Sequence, residues 1–129
     1  MKIKVLIWAS LGGLLVMSCQ KMDQAQLEKD AQLMAKLECE ARQLKEERFK
    51  VANDIRFMED SLAKNKIGLS LQKAAEIDSV KEYYTLRTGE LADKITKTMD
   101  SLFSTTYHSP EERQQLDEAT EKVLQKICQ

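Results

Sequence analysis

The chain has 129 residues and nearly balanced charge, with 20 lysines and arginines against 21 aspartates and glutamates and a net charge of −1. A nucleic-acid partner requires a basic face that neutralises phosphates, so this even mixture of charges argues against one. A chain of this length provides one modest hydrophobic core rather than several domains.

The N-terminal residues have the form of a secretion signal. Lys2 and Lys4 give a short basic start, and residues 5–17 then carry no charge. A basic start followed by an apolar stretch of this length is typical of a signal peptide. A permanent transmembrane helix would need roughly 20 apolar residues. The polar residues 20–23 close the stretch well short of that.

The end of the apolar stretch separates a lipoprotein signal from an ordinary one. Residues 16–19 read Val-Met-Ser-Cys. This segment resembles the lipobox of bacterial lipoproteins, with an aliphatic residue at Val16, a small residue at Ser18 and the modified cysteine at Cys19. Met17 is bulkier than the residue usually found at its place. The alternative is an ordinary signal peptide followed by a chance cysteine.

The resemblance implies a lipid anchor, and the sequence predicts no other cofactor. Residues 1–18 would be removed, Cys19 would carry a diacylglyceryl group and often a further acyl chain such as palmitate, and residues 19–23 would form a short tether. A second acyl chain turns marginal membrane binding into stable anchoring. In lipoproteins that are retained at the inner membrane, the residue after the lipidated cysteine is typically Asp. This chain has Gln20 at that position, which favours the outer membrane of the cell envelope. Either the periplasmic or the surface face of that membrane is compatible with the sequence.

With Cys19 assigned to lipid, Cys39 and Cys128 remain in a compartment where disulfides persist. Their pairing would close a loop of about 90 residues, worth up to about 4.6 kcal/mol in the chain-entropy model. Counting residues in an up-down-up bundle leaves the pair about 9 Å out of register. A disulfide needs Cα atoms within roughly 7 Å, so the turns must shift modestly. Two free thiols or an intermolecular bridge are the alternatives.

The body of the protein has the periodicity of long helices. Apolar residues recur at alternating steps of three and four, which is a heptad pattern. The first stripe, called here the α1 seam, consists of Met34, Leu37, Ala41, Leu44, Arg48, Val51, Ile55, Met58 and Leu62. The second, the α2 seam, consists of Ala74, Ile77, Lys81, Tyr84, Thr88, Leu91, Ile95, Thr98 and Leu102.

Capping signals predict where the helices begin and end. Asp23 starts a helix over residues 24–64, and Gly68 is able to take the left-handed conformation that ends it. A second helix is predicted over 69–104. Ser109-Pro110 and Glu112 then start a third over 110–127. The fold class is therefore all-α: a helical domain over 24–129, with a long antiparallel, coiled-coil-like hairpin and a shorter third helix in an elongated three-helix bundle.

Residues that could carry chemistry are few. His108 is the only histidine, it falls in a loop, and no nucleophile is designated beside it. The cysteines lack zinc spacing, and no glycine-rich phosphate loop occurs in the sequence. These patterns predict no metal and no enzyme. Tyr83 points away from the α2 seam and is a candidate partner contact, because exposed tyrosines often anchor interfaces.

The sequence thus predicts a membrane-anchored envelope lipoprotein whose helical hairpin mediates protein–protein interaction in an accessory or scaffold role. The partner would be another envelope protein. Polar seam positions leave part of the hairpin available to a further helix, including that of a second copy in a homo-oligomer. The alternative is a binder that neutralises or holds a client, as an immunity protein or a periplasmic chaperone does.

Overall fold

The computed structural model describes residues 23–128, which form three helices joined by two short connections. Helix α1 spans Gln24–Lys64, α2 spans Leu71–Thr105 and α3 spans Pro110–Ile127. At 1.5 Å per residue the helices are about 60, 50 and 27 Å long. The described residues contain no strand, which confirms the all-α prediction. No helix among them combines the length and apolarity needed to cross a membrane.

Each helix begins at a side-chain cap. Asp23 accepts a hydrogen bond from the Ala25 N–H at 3.0 Å, and Ser70 accepts one from the Lys73 N–H at 3.2 Å. The predicted start of the second helix at residue 69 was therefore two residues early. Ser70 supplies the cap, and Leu71 is the first helical residue because it directly follows that cap.

The end of α1 differs from the prediction made for Gly68. The left-handed residue is Lys66, with a φ of 55°, and no described glycine has a positive φ. The Lys66 and Ile67 N–H groups donate to the Ala63 and Leu62 carbonyls at 3.1 and 2.9 Å, the two bonds of a Schellman motif. The left-handed position is thus fixed by the last turn of α1, and Gly68 falls beyond it.

The core lies at one end of the molecule, because α3 runs alongside the first half of α1. One cluster joins Leu27 and Ala31 of α1 to Tyr107 and Leu116. The other contains Ala35, Cys39 and Leu124. α3 packs mainly on α1 and makes few contacts with α2. We call this three-helix part, residues 23–42 and 92–128, the base.

The remainder, residues 43–91, is a two-helix hairpin that we call the arm. The seams face each other along it, as predicted: Ile77 and Leu91 are buried and most other seam residues are half-buried. Arg48 and Lys81, the charged interruptions of the two seams, are exposed. A hairpin with no third helix can bury one stripe of each helix and leaves the other faces in water.

Candidate interaction surface

The three residues predicted for signal recognition and lipidation, Val16, Ser18 and Cys19, lie outside the described residues. The other predicted residues fall in two places. Cys39 and Cys128 belong to the base, as does His108, for which no function was predicted, whereas Tyr83 belongs to the arm.

The two remaining cysteines meet where the base adjoins the arm. Cys39 and the α3 C-cap residue Cys128 lie at disulfide-bonding distance, with Cα atoms 5.5 Å apart. The register gap expected from counting residues does not arise, because Leu124 packs against Ala35 and Cys39 and sets the height of α3. The disulfide fastens the last turn of α3 to α1, and α3 ends there.

A buried polar pair holds the α2–α3 connection against α1. The Tyr107 side chain is fully buried, and its hydroxyl donates to Asp30 Oδ2 at 2.9 Å. Gln26 Nε2 donates to both carboxylate oxygens of Asp30 at 2.9 Å. Burial, followed by the hydrogen bond to Asp30, raises the pKa of Tyr107 well above its ordinary value of 10.0. The buried carboxylate is thus partnered, as a stable core requires.

The same connection is tied to α3 by Arg113 and Glu112. Arg113 Nε donates to the Tyr107 carbonyl at 3.0 Å, and its guanidinium lies over the Phe103 ring, 4.6 Å from the centroid. Glu112 accepts the His108 and Ser109 N–H groups at 2.8 and 2.9 Å, and these bonds lower its pKa. Ser109 accepts from the Glu112 N–H at 3.2 Å, which completes the predicted capping box.

These contacts give the base a structural role in positioning α3. His108 takes part through its backbone, and its side chain is exposed. Within residues 23–128 no group of three or more histidine, cysteine, aspartate or glutamate side chains is placed to hold a metal ion.

The Asp30–Tyr107 pair was not predicted from the sequence, although half of its signal is present. The α1 seam, continued back from Met34 in steps of four and three, passes through Asp30 and Leu27. An acidic residue at a seam position requires a buried partner. Nothing in the sequence identifies that partner as Tyr107, which lies 77 residues away.

The arm carries most of the exposed apolar surface. Of the ten large apolar side chains exposed among the described residues, eight lie between residues 49 and 86. They are Phe49, Phe57, Ile67, Leu69, Leu71, Val80, Tyr83 and Leu86. Phe49, Phe57 and Leu71 are 67, 65 and 92% exposed. Single exposed apolar residues are ordinary, but eight of them along one hairpin make the arm the candidate interaction surface among residues 23–128.

Tyr83 is exposed on the outer side of α2, as predicted, at 55%. Its ring stacks edge-on against Tyr84, with centroids 5.2 Å apart, while Tyr84 is half-buried in the α2 seam. The packing of one ring on the other limits the freedom of Tyr83. A restrained, exposed tyrosine is suited to an interface, and its role as a partner contact stays a prediction.

A groove crosses the junction of base and arm, just beyond the end of α3. Its apolar lining comes from both helices of the hairpin and comprises Ala41, Leu44, Phe49, Ala52, Leu91, Ala92 and Ile95. Its volume is about 1130 Å³. Charged residues of α1 surround it: Arg42, Lys45, Glu46, Arg48 and Lys50. The groove could not be predicted from the two seams, because Phe49 and Ala92 lie outside them.

No protein-family model matches the chain, and neither a curated protein nor a solved structure shows significant similarity to it.

Proposed function

We propose that this protein is a lipid-anchored component of the bacterial cell envelope whose arm binds another envelope protein. The observation that carries the proposal is the contrast in exposure between base and arm. Only two large apolar side chains of the base are exposed, Leu33 and Ile127, whereas eight stand exposed on the arm. Covering the water-exposed side chains of Phe57 and Leu71 with a partner would bury apolar surface, which favours binding.

The anchor follows from the lipobox-like segment and supports an envelope location. Cys19 would hold the lipid, with Val16 and Ser18 read by the processing enzymes, and Gln20 favours the outer membrane. The Cys39–Cys128 disulfide fits an oxidising compartment. Mass spectrometry of the non-reduced protein tests both: lipid mass on Cys19, absent in Cys19→Ser, together with an intact disulfide. An unmodified Cys19 at the N-terminus or within an uncleaved chain would contradict the anchor.

Site-specific photocrosslinking in living cells tests the role of the arm. A photoreactive residue at Phe57 or Leu71 should give one discrete adduct with a single protein. The same residue at Lys29 or Lys122, which are exposed on the base, should not. Equal crosslinking from arm and base, or none from the arm, would contradict the proposal.

The second candidate is a protein that holds clients, and the open groove is the observation that favours it. The same crosslinking experiment separates the two candidates. A scaffold or immunity protein gives one partner, whereas a periplasmic chaperone gives adducts with many unrelated envelope proteins. A toxin as the one partner would identify the immunity role.

A further inference from the structure

The groove is the continuation of the surface on which α3 lies. On α1, the stripe that faces α3 includes Leu27, Ala31, Ala35 and Cys39 at steps of four. Steps of three and four lead on to Arg42, Glu46 and Phe49, all of which line the groove. α3 stops at Ile127, but the surface that receives it continues. The next occupant in line would therefore be another helix.

The size and lining of the groove define a helix of about three turns. The α1 residues of the groove span 41–52, which is about 17 Å of helical rise. Small side chains at Ala41, Ala52 and Ala92 leave room for a helix backbone to approach, and Leu44 and Leu91 form an apolar floor. A helix laid here would be amphipathic, with its apolar stripe against this floor.

The charges of the groove select an acidic helix. Lys45, Arg48 and Lys50 form no ion pair with any described residue, and only Glu46 opposes them on the rim. α3 itself is acidic, with five acidic and three basic residues. Its Glu121 lies 3.9 Å from Arg42, at the start of the groove. The chain thus already places an acidic helix on the same surface.

A second copy of the chain is less suited to the groove, because the apolar stripe of its own acidic helix α3 is already in use. Leu116 and Leu124 of α3 are buried against α1. A second copy could offer that stripe only by unpacking its own base.

We propose that the groove receives an acidic amphipathic helix of a partner protein, which lies end to end with α3 and completes the third helix of the bundle. This inference rests on the proposed function and deepens it, because it names the class of partner segment that binds at the junction of base and arm. Phe49 would cover one side of the bound helix, while Lys45 and Arg48 would face its acidic flank.

A defined peptide pair tests the proposal on the purified full-length protein in detergent. One labelled peptide of about 14 residues carries a stripe of leucine and alanine flanked by glutamates. The control peptide has the same sequence with each glutamate replaced by lysine. Fluorescence anisotropy should show binding of the acidic peptide, with affinity that weakens as salt rises, and no binding of the basic one.

Two variants with matched controls locate the binding. Ala92→Arg fills the groove and should abolish binding, whereas Ala75→Arg, at an exposed alanine of α2 outside the groove, should not. Lys45→Glu with Arg48→Glu should weaken binding about tenfold. Lys29→Glu with Lys36→Glu makes the same change of charge on the base and should leave affinity within about twofold. Circular dichroism checks that each variant is folded.

Several results would overturn the inference. They are binding of neither peptide, equal binding of both, or unchanged binding by Ala92→Arg. Self-association that Ala92→Arg abolishes in sedimentation would assign the groove to a second copy instead. Binding to phosphatidylglycerol vesicles that Lys45→Glu with Arg48→Glu abolishes, without peptide binding, would assign it to lipid. Crosslinks from Phe57 and Leu71 would persist in each case if the proposed function alone were correct.

Discussion

The base and the arm are built from the same two helices, yet they differ in how much of each helix is covered. In the base, Ala31 and Ala35 of α1 are fully buried because α3 covers a second stripe of the helix. In the arm, Val51 and Ile55 are only half-buried in the seam. The lower burial of α1 in the arm therefore results from where α3 ends, rather than from a change in the periodicity of α1.

The links that cross between elements are also unevenly distributed. The base has the disulfide, the Asp30–Tyr107 hydrogen bond and Arg113 on Phe103. Near the root of the arm, Arg87 lies 3.4 Å from Glu40, and both side chains are nearly half exposed. An exposed pair of this kind contributes about 0–1 kcal/mol. Stability should thus be concentrated in the base, with local opening easiest in the arm.

The largest expected effect comes from opening the disulfide. Cys39→Ser with Cys128→Ser should lower the free energy of unfolding by up to about 4.6 kcal/mol, because the bond closes a loop of about 90 residues. Urea unfolding measures the loss. The amide hydrogens of α3 should exchange faster in the variant, at rates close to those of the arm. Reductant should destabilise the wild type and leave the double variant unchanged. Equal wild-type midpoints with and without reductant would contradict the role given to this bond.

A pair of leucine truncations compares the two regions directly. Leu124→Ala removes a side chain that is 1% exposed in the base and should cost about 3 kcal/mol. Leu86→Ala removes one that is 59% exposed on the arm and should change stability by about 0.5 kcal/mol or less. Chemical denaturation of the isolated protein measures both. Similar costs at the two sites would mean that the base is not the stable region.

A smaller effect is expected from Tyr107→Phe, which removes the hydroxyl that bonds to Asp30. The loss should be about 1–2 kcal/mol at neutral pH, since Asp30 stays buried with Gln26 as its remaining partner. Because folding raises the pKa of Tyr107, its contribution is complete below pH 10 and is lost as the pH rises above that value. The gap between wild type and variant should therefore narrow between pH 10 and 11.5. A constant gap from pH 8 to 11.5 would contradict this origin.

The sequence predicts the helices well because their signals are local and repeated. Both seams face inward as expected, and Arg48 and Lys81 mark the exposed interruptions. The prediction fails at the end of α1, where neighbouring residues compete for the left-handed position. Lys66, rather than Gly68, takes the left-handed conformation, because the hydrogen bonds that close the last turn of α1 come from Lys66 and Ile67.

The features that sequence periodicity could not supply are those that depend on distant parts of the chain. Tyr107 meets Asp30 across 77 residues, and no local pattern carries that pairing. The groove depends on the position along α1 at which α3 ends. That position is set by the packing of Leu124 against Ala35 and Cys39. The Cys39–Cys128 pairing was expected as one of several possibilities, because the predicted lipidation of Cys19 would leave two cysteines; the structure brings these two together.

The disulfide also reveals how the chain is organised as a whole. Cys39 and Cys128 are 89 residues apart, and the entire arm lies between them. In topological terms the arm is an insertion in the base, attached through two adjacent helical segments. Removing seven residues from each helix in register would shorten it by about 10.5 Å and preserve the heptad pattern. The length of the arm is thus a dimension that can vary independently of the base, and it would set the distance at which the protein reaches the proposed partner.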